Sequence, residues 1–128
     1  MASPRDTYDN EYDEAILTRD PNNEDYKYLK TPFQDIKVEL TDCDGNPIGT
    51  TDFRDYIMGV AYFEVGYQSN NDNYVLTQMA ASISYTLHRR NNYQKEGTIS
   101  MKSGTCDQGW CSVTQGCHAT LSKGGFTQ

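Results

Sequence analysis

The sequence predicts a mostly β protein: a single antiparallel β-sandwich or barrel-like domain of six to seven short strands, preceded by an extended acidic N-terminal arm. Three observations carry that expectation. The chain has 128 residues, one domain's worth of polymer. Only 36% of it is hydrophobic, so the core is small. Its apolar residues come in short stretches, several strictly alternating, separated by clusters of Asn, Asp, Gly and Pro.

Residues 1–33 read as the arm. They hold eight acids and four bases within the first thirty positions, with Ile16 and Leu17 as an isolated aliphatic pair. Such a segment buries too little apolar surface to offset its own conformational entropy, and a neighbouring subunit is expected to clamp it. Tyr8, Tyr12, Ile16, Leu17, Tyr26 and Tyr28 are the expected inter-subunit contacts, because tyrosine offers a ring and a hydroxyl to a wet interface. Asp20-Pro21-Asn22-Asn23 and Thr31-Pro32 mark breaks.

The β domain is expected over residues 34–122. Ile36, Val38 and Leu40 alternate with Lys37, Glu39 and Thr41, the pattern of a half-buried strand. Asp42-Cys43-Asp44-Gly45-Asn46-Pro47 should reverse the chain into a return beginning at Ile48. Residues 56–67 are expected as a strand covered on both faces, with Gly59 and Gly66 arguing against helix. Residues 74–87 are ambiguous, since Val75, Met79, Ile83 and Leu87 are spaced by four, but Val, Ile, Thr, Ser and Tyr favour a long strand. Thr98–Lys102 reads as another strand, and residues 110–113 and 117–121 as a last hairpin, with residues 123–128 as a tail.

Charge and motifs exclude several functions. A net charge of -7 opposes a surface built to neutralise nucleic-acid phosphates. No stretch reaches the roughly 20 apolar residues of a membrane helix, and no apolar segment follows the N-terminus as in a signal peptide. Direct nucleic-acid binding, membrane insertion, cofactors and metal sites are therefore not expected. His88-Arg89-Arg90 is the one basic spot beside aromatics, and Arg89 and Arg90 are expected to pair with acids of another subunit. Asp42-Cys43-Asp44-Gly45-Asn46 begins like a calcium loop, but Pro47 and Phe53 stand where glycine and a bidentate glutamate belong. Neither His88 nor His118 has a nucleophile in a recognisable context, and no phosphate-binding glycine loop is present, so no enzyme is expected.

The four cysteines, Cys43, Cys106, Cys111 and Cys117, are disulfide candidates. A hairpin centred on Thr114 would set Cys111 opposite Cys117 and leave Cys106 to Cys43. Reduced cysteines and a zinc site completed by His118 or by Cys43 are the alternatives, the latter with poor ligand spacing.

The function expected from these features is that of a non-enzymatic structural assembly protein, a virion component such as a capsid decoration or minor structural protein whose arm docks on neighbouring subunits. The alternative is an extracellular, disulfide-bonded β-sandwich binding module for carbohydrate or protein, in which Trp110 stacks on a sugar.

Overall fold

A computed structural model describes residues 4–17, 33–66, 71–88, 93–95, 97–104, 106–113, 120–122 and 125–127. Among these residues are three helices over a four-stranded mixed sheet, with a separate two-stranded ribbon. The mostly β sandwich expected from the sequence is thus incorrect, and the arrangement is α+β.

The first element is α1 (Pro4–Leu17), within the segment expected to be an arm. Tyr8, Tyr12 and Ala15 lie on one face at helical spacing and are buried in the chain's own core. The Tyr8 hydroxyl donates to the Gly66 carbonyl at 2.5 Å. Arg54 bridges Asp9 (2.9 Å) and Asp13 (2.8 Å), one turn apart on α1, and its guanidinium lies 4.8 Å from the centre of the Tyr12 ring. Arg5 pairs in turn with Asp55. Within the segment expected to dock on a neighbour, Asp9 and Asp13 are therefore partnered inside the chain itself.

A 3-10 turn (Phe33–Asp35) leads into β1 (Lys37–Thr41) and β2 (Pro47–Asp52), an antiparallel hairpin. Val38 and Leu40 are buried while Lys37 and Glu39 are exposed, as alternation requires when one face of a sheet is covered. The turn is closed by Asp42, whose carboxylate accepts from the Asp44 and Asn46 backbone N–H groups and from the Asn46 side chain. Hydrogen bonds from Asn46, aided by those from Asp44 and Gly45, hold its carboxyl below the usual range. The resemblance to a calcium loop is thus a turn motif satisfied by its own backbone.

The expected strands at 56–67 and 74–87 are instead helices α2 (Phe53–Val65) and α3 (Asp72–His88). Asp52 caps α2 by accepting from the Asp55 N–H at 2.7 Å, and Gly66 ends it at φ 91°, a conformation glycine adopts without a Cβ clash. Phe53 and every residue from 56 to 61 are buried. A helix covered on all sides shows an unbroken apolar run, which hides the helical period. In α3 the spacing by four was the helical signal: Val75, Met79, Ser82, Ile83, Thr86 and Leu87 form the buried face. Ser82 and Thr86 donate to the carbonyls of Gln78 and Ser82, four residues back, so their hydroxyls enter the core satisfied.

β3 (Tyr93–Lys95) and β4 (Thr98–Lys102) complete the sheet in the order β2-β1-β4-β3. β1 and β4 are parallel neighbours, so α2 and α3 lie in the crossover between them. The last hairpin expected from the sequence is absent from its described part: residues 110–113 form no strand, and β5 (Thr120–Ser122) pairs with β6 (Gly125–Thr127).

Candidate functional site

The three walls of a cleft of about 580 Å³ are supplied by α2, α3 and the segment after β4. The last turn of α2 contributes Phe63 and Glu64. From α3 come Gln78, Ala81, Ser82 and Tyr85, whose spacing of three, four and seven aligns them on one helical face. The third wall has little regular structure and contributes Gly104, Asp107, Gln108 and Gly109.

That third wall is fixed in three ways. Residue Cys106 is disulfide-bonded to Cys43 in the β1–β2 turn, 63 residues away in sequence. Cys111 is also disulfide-bonded, and no described cysteine is free. Next, residues 109–111 lie directly on α2. The Cys111 N–H donates to the Gly59 carbonyl at 3.1 Å, and a Cβ on Gly59 would sit 2.1 Å from the Trp110 indole nitrogen. A Cβ on Gly109 would likewise strike the Phe63 ring at 2.1 Å. Glycine at these two positions permits the approach that closes the cleft. Finally, the loop bonds to itself: Lys102 N–H donates to the Asp107 carboxylate at 2.7 Å, and Gly104 N–H to the Gln108 carbonyl at 3.1 Å.

Within the cleft the two carboxylates differ. One oxygen of Asp107 is engaged by backbone, whereas Glu64 is exposed and has no hydrogen-bond or ion-pair partner among the described residues. Phe63 and Tyr85 are 51% and 37% exposed, rings that a ligand can cover. Among the described residues, no Lys, Arg or His lines the cleft.

Beneath it, the Gln108 side-chain amide donates to the Tyr56 hydroxyl (2.8 Å) and to Thr86 Oγ1 (2.9 Å). Burial pushes the Tyr56 hydroxyl well above its ordinary range, against a smaller opposing effect of the hydrogen bond from Gln108.

The residues singled out from sequence fall elsewhere. Tyr8 and Tyr12 are core residues, Ile16 is partly buried against that core, and Leu17 is 79% exposed. Tyr12, Asp13, Ile16, Leu17 and Arg54 help to line a smaller hollow of about 360 Å³. Tyr26, Tyr28, Arg89, Arg90 and Cys117 lie outside the described residues. Cys43, Cys106 and Cys111 carry no thiolate for a metal, since their sulfurs are in disulfides. Trp110, expected on a sugar face, packs instead against α2, its indole N–H reaching the Asp55 carbonyl at 3.4 Å.

Sequence reasoning missed Glu64, Asp107 and Gln108. Glu64 is the only acid between Tyr56 and Gly66, an oddity in so apolar a stretch and the one available signal.

No family model, curated protein or solved structure matches the chain. Among the described residues, no helix is long and apolar enough to cross a membrane.

Proposed function

We propose that this chain acts on glycans: the cleft binds a neutral, hydroxyl-rich saccharide, and Glu64 serves as general acid and base in cleaving a glycosidic bond. The observation that carries this reading is Glu64 itself, an exposed carboxylate with no partner among the described residues, beside two exposed rings and a second, anchored carboxylate. Aromatic rings suit the C–H faces of sugars, and an acidic cleft without bases disfavours phosphates and nucleic acid.

In acid form, Glu64 gives its proton to the glycosidic oxygen as the C1–O bond breaks. The carboxylate so formed takes a proton from the hydroxyl that adds to C1, whether that of water or of the sugar itself. The negative charge of Asp107 favours the positive charge developing at C1. The disulfides suit an oxidising location, outside the cytosol or at the cell surface.

With α1 packed on its own core, the assembly and capsid-decoration role loses the observation it rested on. A recognition module without turnover is the second reading, favoured by the exposure of Glu64 to water.

Turnover assays on chitin, cellulose and bacterial wall glycan, with products followed by mass spectrometry, test the proposal. New chain ends are expected from the native chain. Glu64→Gln should lose at least about 100-fold in rate while retaining binding. Binding without cleavage by the native chain would leave the recognition module, and no binding would remove both readings.

A further inference from the structure

The network under the cleft fixes more than the loop's position. Thr86 has one proton, and it is committed to the Ser82 carbonyl at 2.7 Å. Its oxygen can therefore only accept, so the Gln108 group 2.9 Å away must be the amide NH2 and not the carbonyl. The second amide proton goes to the Tyr56 hydroxyl at 2.8 Å. Both donors are thus spent inside the protein. Gln108 Oε1 has no partner among the described residues, and Gln108 lines the cleft.

We propose that Gln108 is a specificity-determining residue of this cleft, presenting a fixed carbonyl acceptor to a hydroxyl or N–H of the bound sugar, with Tyr56 and Thr86 as the positioning residues that prevent its amide from turning over. The assignment rests on the glycan reading above. An amide free to rotate would offer a donor or an acceptor equally. One pinned through both N–H groups offers an acceptor alone, and a sugar lacking a donor at that point leaves it unpaired on burial. Thr86 is fully buried, and Tyr56 is as well, so their influence on the ligand passes through Gln108.

The test is calorimetric titration of the intact, oxidised chain with cellotetraose and with chitotetraose. The native chain should bind at least one of them. Gln108→Ala should weaken that binding about 10-fold, the effect of one lost hydrogen bond. Gln108→Met, of similar volume and without the acceptor, should match it and replaces it if the alanine variant does not fold. Thr86→Val should weaken binding about 3- to 5-fold in the native background, from the partial loss of that bond, and have no further effect in the Gln108→Ala background. A merely structural role for Thr86 gives effects that multiply, and that result overturns the positioning part. Native-like binding by both Gln108 variants overturns the assignment of Gln108 while leaving the glycan reading standing. Failure of the native chain to bind either sugar overturns the glycan reading and this assignment with it.

Discussion

The cleft has two kinds of wall. The α2–α3 side is held by packing: residues 56–61 and the inner face of α3 are sealed in the core, and Phe63, Glu64 and Tyr85 project from backbone that cannot shift without opening it. The side formed by Gly104 and residues 106–109 has almost no regular structure and contributes little to the core. It is held by a disulfide, by two glycines that permit contact and by Gln108 hydrogen bonds. Packing places one wall, and covalent and polar ties place the other. Disturbing the second should therefore loosen that wall more than it loosens the helical one.

Cutting the covalent tie should have the largest effect. Closing a loop of 63 residues contributes at most about 4 kcal/mol by chain entropy. Cys43→Ser with Cys106→Ser should lower the denaturant midpoint accordingly, with faster amide exchange at residues 106–109 than in α2. Equal exchange gains in both walls would erase the distinction drawn above.

Gly59→Ala attacks the contact between the walls. The added methyl meets the Trp110 ring and the Cys111 backbone, and a loss of about 1–3 kcal/mol is expected from thermal or urea unfolding. A neutral outcome would mean that residues 110–111 can retreat at little cost. Asp52→Ala touches only the helical wall, removing the α2 cap at a cost of about 1 kcal/mol and leaving the cleft ligand's affinity unchanged.

The smallest effects belong to α1, which lies against α2 and α3. Arg54 is about one-third exposed, so Arg54→Met should cost less than about 1 kcal/mol, and less still in high salt. Burial, with a smaller contribution from Tyr62, pushes the Tyr8 hydroxyl up to about 12. A group whose folded value is raised stabilises fully below its unfolded value of about 10 and ceases to do so as pH passes its folded value. Alkaline titration should therefore weaken the fold between about pH 10 and pH 12, and Tyr8→Phe should blunt that loss. Unchanged alkaline behaviour in the variant would mean that Tyr8 is not held as described.

The β1–β2 hairpin was legible because its outer face meets water, so Lys37 and Glu39 alternate visibly with Val38 and Leu40. Thr98–Lys102 was legible from Ile99 and Met101 alternating with polar residues, although Thr98 is itself buried and only Lys102 is fully exposed. α2 was not, because burial on every side removes the polar residues that would mark a period, leaving Tyr, Ile, Val and Phe to suggest a strand. α1 was misjudged from its composition. Its buried Tyr8, Tyr12 and Ala15 have helical spacing, but acids occupy most neighbouring positions, and the cation that neutralises two of them, Arg54, lies some forty residues on. The site was less legible still. Glu64, Tyr85 and Gln108 come from three separate segments, and no local spacing joins them.

By itself the sequence determined what neighbouring residues decide between themselves: the β1–β2 strands, the Asp42 turn, and the acidic balance of the chain. The tertiary structure decided whether residues 53–65 and 72–88 coil or extend, which acids meet Arg54, how the cysteines are bridged, and where a carboxylate faces an open cleft. The reason is physical. Alternation and turn chemistry depend on contacts a few residues long, whereas spacing by four fits helix and strand alike until the sheet covers one face, and a cleft exists only between surfaces brought together from distant parts of the chain.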